Sequence, residues 1–306
     1  MGLPRLAVTL LVLSVSLVGM VPASSAKDTP ERRREAVGNP LRGDLGALLR
    51  GASPEEVLGD AVPPELRDLS GLAPGSSAAR TAASAVPCTA PSVTYATIQA
   101  AIDDANCDPI MVPAGTFTEN LTIERSLTLA GAGSGATRID GAASNPTVAV
   151  ADGTPDTVVI RDLTLANGAF LVGGGLIVGN PHNVTLERVV VTENLAIAGG
   201  GLFAIDSTVT VIDSTISDND VVTGGGGSFG AGATTFEPTT TLTLQDSTVT
   251  GNQTDSDAGN PDEGGGIYNE GTVNVVVSSV TGNTAENAGG GILNLGTLSV
   301  ANSLIQ

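Results

Sequence analysis

The stretch GGGIYNEGTVNVVVSSVTGN, residues 264–283, sets three glycines before a run of alternating apolar residues and closes on Gly-Asn. It is either a phosphate-cradling loop ahead of a strand or one rung of a repeat. A nucleotide loop is normally used once in a domain, whereas a solenoid coil cannot bury its apolar face alone and has to recur. The same grammar recurs as TVVIRDLTLANG from Thr157, NVTLERVVVTEN from Asn183, TVTVIDSTISDN from Thr208, TLTLQDSTVTGN from Thr241, TVNVVVSSVTGN from Thr272 and a shortened TLSVANSLIQ from Thr297. The blocks advance by 26, 25, 33, 31 and 25 residues. No G-x-x-x-x-G-K-[ST] is present and no basic residue lies near the glycines, which weighs against phosphate binding.

Such a period, with only short strands inside it, fits coils that stack and pair edge to edge. The second and fourth positions of the blocks carry Val158/Ile160, Val184/Leu186, Val209/Val211, Leu242/Leu244, Val273/Val275 and Leu298/Val300. The phase then slips by one, so that positions seven and nine carry Leu163/Leu165, Val189/Val191, Ser214/Ile216, Ser247/Val249, Ser278/Val280 and Ser303/Ile305. A slip between two period-2 segments predicts a corner that keeps apolar side chains inward on both sides. The sixth position, with Asp213 and Asp246 among its occupants, reads as outward solubilising charge.

The block-ending Asn194, Asn219, Asn252 and Asn283 predict a ladder at one corner, because a side-chain amide both donates and accepts; a polar ligand stripe is the alternative. Glycine triplets ending at Gly175, Gly201, Gly227, Gly266 and Gly291 belong to another corner. After them Ile177, Phe203, Phe229, Tyr268 and Leu293 hold equivalent places, as a packing stack or, alternatively, a sugar platform.

The rest of the composition agrees with an all-β chain. Of 306 residues 41% are apolar, yet aromatics are only 2%, Trp is absent and Gly numbers 40. Residues 1–87 hold nine basic and nine acidic side chains, while 88–306 hold four and 23, so the whole net charge of −19 sits in the second part. No Lys or Arg follows Arg188, which argues against nucleic acid and other polyanions as partners.

Arg5, the apolar run 6–21 and the small residues Ser24 and Ala26 read as a signal peptide over 1–26, with an uncleaved anchor as the alternative; no other segment approaches a transmembrane span. Residues 27–87, with ERRRE and many Pro and Ser, read as a flexible linker or a propeptide. The domain proper then covers 88–306. Cys88 and Cys107 are expected to form a disulfide in an exported chain, against two free thiols, and His182 lies isolated in a turn-like GNPHN. The segment from Thr94 predicts a short helix through Ile98 and Ile102.

With these residues in view, TIQAAIDDANCDPIMVPAGTFTENLTIERSLTLAGAG, from Thr97, resembles the N-terminal cap and first coil of right-handed parallel β-helices of the pectin-lyase-like superfamily. The glycine-led blocks resemble bacterial β-helix surface proteins, polymorphic outer-membrane-protein-like and adhesin-like chains among them. The resemblance covers about 92–306 and implies a right-handed parallel β-helix with a short N-terminal capping helix. It speaks to fold more than to activity. GTFTEN is similar to an early pectin methylesterase motif, but the later paired-aspartate and Arg motifs of that family have no match. Asp103 and Asp104 fall on the cap helix, and the basic group that lyase or hydrolase chemistry wants is missing from the later coils.

No catalytic residue is therefore assigned. Asp255, Asp257, Asp262 and Glu263, in the longest inter-coil insertion, could hold Ca²⁺, against a solvated acidic loop; no other cofactor is expected. The sequence leads to a secreted or cell-surface β-solenoid, structural, adhesive or binding, with surface glycans or proteins as partners and an unassigned oligomeric state. A polysaccharide-active enzyme is the second reading. Because the last block stops without a polar cap, a chain truncated at its C-terminus is expected.

Overall fold

Each repeat block folds into two strands with a corner between them, as in Thr208–Ile212 and Thr215–Ser217. A third strand follows each glycine triplet, as in Leu202–Ile205. The computed structural model describes residues 86–150, 156–179, 181–222, 228–255 and 262–306. The expected signal peptide and all but the last two residues of the expected linker lie outside the described residues.

Like strands of successive coils pair in parallel and in register. Thr157–Arg161, Asn183–Glu187, Thr208–Ile212, Thr241–Gln245, Thr272–Val276 and Thr297–Ala301 are consecutive members of one nine-stranded sheet. The second strands of the blocks form an eight-stranded sheet and the strands after the glycines a seven-stranded one. Three parallel sheets that share every coil make a right-handed parallel β-helix, the hand that parallel crossovers adopt.

Register makes the inward columns continuous: Val184, Val209, Leu242 and Val273 are direct partners in turn, and all are buried in a single core cluster. Each such side chain contributes about 1.5 to 3 kcal/mol on burial, and its neighbours above and below supply that burial.

Helix Ile98–Asp103 packs Ile98, Ala101 and Ile102 into the same cluster. It starts four residues later than Thr94 because the Thr97 hydroxyl accepts from Ala100 N at 3.1 Å and caps it. Glu119 accepts from the first two helical N–H groups at 3.0 and 3.1 Å. Arg125 donates to the carbonyls of Ile102, Asp104 and Cys107 at 2.7 to 2.9 Å. Both helix ends thus find charged partners of the favourable sign. Cys88 and Cys107 are joined, with Cα atoms 5.5 Å apart. The bridge ties the outermost strand Val86–Thr89 to Cys107–Met111.

Two alignments made by counting glycines are corrected by the register. Gly201 is followed in its column by Gly232, whose carbonyl accepts from Leu202 N at 3.0 Å; Gly227, expected there, lies outside the described residues. The third triplet is therefore Gly230-Ala231-Gly232. In the third sheet Phe203 pairs with Thr234, and Thr234 with Tyr268. Phe229 belongs to a separate two-stranded ladder opposite Glu263. An insertion ahead of Gly230 carries extra glycines that mimic the motif.

The first glycine of a triplet turns the chain at positive φ, +63° at Gly199. The third is needed for close approach: a Cβ on Gly201 would lie 2.6 Å from the Gly232 carbonyl oxygen and 2.8 Å from the Asn219 amide nitrogen.

Candidate functional site

The residue types with chemical capacity fall at the corners, and most of them are committed to holding coils together. Asn219 is the pattern. Its Oδ1 accepts from Asn194 N at 3.1 Å and from Asn194 Nδ2 at 2.9 Å, and its Nδ2 donates to Val191 O at 3.0 Å and to Asn252 Oδ1 at 2.9 Å. Asn252 repeats the arrangement toward Asn283. Asn194, Asn219 and Asn252 are buried, so this polar column runs inside the tube wall.

A second ladder lies at the corner between the first two sheets. Ser214, Ser247, Ser278 and Ser303 each accept a backbone N–H from the preceding coil at 2.9 to 3.1 Å. Each donates to the carbonyl two residues before it. The sequence showed serines where apolar residues were expected, and that mismatch was the available signal. A third polar column runs through Thr235, Asn269 and Asn294, with Oγ1 of Thr235 donating to Asn269 Oδ1 and Asn269 Nδ2 to Asn294 Oδ1, both at 2.6 Å.

The sixth block position is more than a solvated charge. Asp162, Arg188, Asp213, Asp246, Val277 and Asn302 all take φ between 48° and 58°. One left-handed residue per coil makes the corner, and Asp and Asn tolerate that conformation best after Gly.

The charged cluster lies in the early coils. Arg188 grips Asp162 through Nε at 2.7 Å and Nη2 at 3.0 Å, and also meets Glu187. Arg161 reaches Asp162 at 3.1 Å. Hydrogen bonds from Arg188 hold the Asp162 carboxyl below the usual aspartate range, against the opposing effect of partial burial, and Arg161 adds to the lowering. Arg138 pairs with Glu193 at 2.6 Å and with Asp140 at 3.6 Å. The Asp162 carboxylate is thereby stabilised as an anion, the opposite of what a proton donor needs.

Other candidates separate in space. Asp103 ends the helix, and Asp104 follows as its C-cap. Asp104 accepts from Asn106 N at 2.9 Å and from the Tyr95 hydroxyl at 2.8 Å, which hold its carboxyl low and raise the Tyr95 phenol. His182 is buried, and its Nδ1 accepts from Asp156 N at 3.3 Å.

In the proposed calcium set, Asp257 lies outside the described residues. Asp255 and Asp262 stand on the short strands Gln253–Asp255 and Asp262–Glu263, and Glu263 is half-buried. Among the described residues no three His, Cys, Asp or Glu side chains form a metal-holding group.

From Phe170 onward the aromatic residues collect outside the tube, while Tyr95 and Phe117 pack against the main core. Phe203, with Ile177, Val172, Ile197 and Ala198, forms a small second core on the outer face of the third sheet. Phe203 stacks on Phe236 at 6.2 Å between ring centroids, and Phe229 tilts against Tyr268 at 4.8 Å. This face is covered by the segments that follow the Asn corner, which is packing geometry. No helix among the described residues is long and apolar enough to cross a membrane.

No family model matches the chain, and no curated protein matches it. Among solved structures it is similar to pectin methylesterase PemA from Erwinia chrysanthemi, at 14% sequence identity and a TM-score of 0.33, over 65% of this chain and 79% of that one. The parallel β-helix assigned above rests on the strand register itself.

Proposed function

We propose that this chain is a secreted or cell-surface β-solenoid with a structural, adhesive or ligand-binding role and no catalysis. One observation carries the reading: the basic groups of the coils are already spent. Arg125 is bound to backbone carbonyls, Arg138 to Asp140 and Glu193, and Arg161 and Arg188 to Asp162. The sequence supplies no Lys or Arg after Arg188. Polysaccharide elimination on this fold calls for a cation beside the scissile bond, and each of these four arginines is committed to another partner. Surface glycans or proteins are the partners proposed.

The purified chain, incubated with pectin, polygalacturonate and neutral polysaccharides with and without Ca²⁺, is expected to release no product. Unsaturated or reducing-end products that appear with intact protein, and persist after repurification, would replace this reading with an enzyme. Protease shaving of intact source cells tests location: peptides from 88–306 are expected in the released fraction.

A further inference from the structure

Where the third sheet hands the chain back to the first, three carboxylates stand on successive coils. Asp206, Glu237 and Glu270 follow strands Leu202–Ile205, Ala233–Phe236 and Ile267–Asn269. Ile205 pairs with Phe236 and Thr235 with Asn269. The register therefore sets Asp206 beside Glu237 and Glu270 beside Phe236, with parallel strands about 4.8 Å apart. All three residues are half-buried.

Their hydrogen bonding is unequal. The Thr239 hydroxyl donates to Asp206 Oδ1, and the Tyr268 hydroxyl donates to Glu270 Oε1 at 2.8 Å. Thr240, on the corner of Glu237 itself, turns its hydroxyl to the Phe236 carbonyl and accepts from Asp206 N at 2.8 Å. Among the described residues no donor meets the Glu237 carboxylate, and the charged groups facing it are Asp206 from the coil before and Glu270 from the coil after.

We infer that Glu237 is a proton-operated clasp across these coils. In its charged form it adds a third anion to a half-buried stack. On taking one proton from solvent it loses that charge and gains an O–H that can donate to a neighbouring carboxylate, so that repulsion is exchanged for a charge-assisted hydrogen bond. No other bond is made or broken. Burial first, then Asp206 and Glu270, push the Glu237 carboxyl above the ordinary glutamate value. A carboxyl raised in the folded state binds its proton more tightly there than in the unfolded chain. The stabilisation is thus full below the unfolded glutamate value and fades as pH rises through the folded one.

The test is backbone hydrogen exchange on the full chain at about pH 4, below the unfolded glutamate value of about 4.3, and at about pH 7.5, corrected for intrinsic rates, comparing Glu270 and Thr272 amides with reference amides in Asn183–Glu187. In the unaltered chain, corner protection is expected to rise about tenfold relative to the reference at the lower pH, the worth of one hydrogen bond to a charged acceptor. Glu237→Gln, neutral at both pH values, is expected to hold high corner protection throughout. A pH step in E237Q equal to that of the unaltered chain would overturn the inference, as would lower corner protection in E237Q at pH 7.5. Asp206→Asn gives a second reading should E237Q fold poorly: its pH step is expected to shrink, and an undiminished step also counts against the clasp.

Discussion

Asn219→Ala is the substitution by which the ladder argument stands or falls. Removing the amide strands the buried Asn194 N–H, whose bond at 3.1 Å goes to Asn219 Oδ1. It also deprives Asn194 Nδ2, Val191 O and Asn252 Oδ1 of one partner each. A buried donor left alone costs about 1 to 3 kcal/mol and each of the three lost bonds about 0.5 to 1 kcal/mol, so the expected loss is about 2.5 to 6 kcal/mol. Asn219→Asp keeps the size but replaces a donor by a charged acceptor facing Val191 O and Asn252 Oδ1, and is expected to lose at least as much. Solenoids need not unfold in one step, so urea unfolding should be paired with hydrogen exchange, where lost protection is expected to centre on residues 192–196 and 250–254. Asn274→Ala is the control: its amide makes one contact, at 3.4 Å to Thr243 Oγ1, and a change within about 0.5 kcal/mol is expected. A loss below about 1 kcal/mol in N219A, with protection unchanged, would refute the claim that the asparagine column holds this corner.

Val277 is a β-branched residue at φ 50° and is 52% exposed. Val277→Asn is therefore expected to raise the urea midpoint by about 1 kcal/mol of stability, while Val277→Ile should give no gain. Thr254 is buried with an unpartnered Oγ1; Thr254→Val should be neutral or stabilising by up to about 1 kcal/mol, whereas Thr235→Val, which strips Asn269 of its donor, should lose about 1 to 2 kcal/mol. Asp162, held low by Arg188, contributes stability that is present above the unfolded aspartate value of about 3.9 and is lost as pH falls through the folded one. An acid titration of unfolding is expected to show a shallower acid limb in Asp162→Asn.

Much of this architecture was legible in the residues. The inward columns could be read because period-2 alternation and a one-residue slip are properties of the chain itself, and Val209, Leu242 and Val273 stand where that pattern puts them. The block-ending asparagines were readable for the same reason, since the same place in each coil selects a side chain that both donates and accepts. The triplet at Gly230-Ala231-Gly232 and the pairing of Phe203 with Thr234 were not readable. Insertions of unequal length break the count between coils, and only the strand register restores it.

Within each coil, then, the amino-acid order alone determined which side chains face inward and where the wall bends. Tertiary structure decided everything that depends on distance between coils: that Arg188 closes on Asp162 from 26 residues away, that serines replace apolar side chains by bonding the coil before, and that Glu237 stands between two carboxylates that have donors of their own. Alternation is a local steric property, whereas the charge a group carries and the partner it meets are set by neighbours that stacking brings to within a strand spacing.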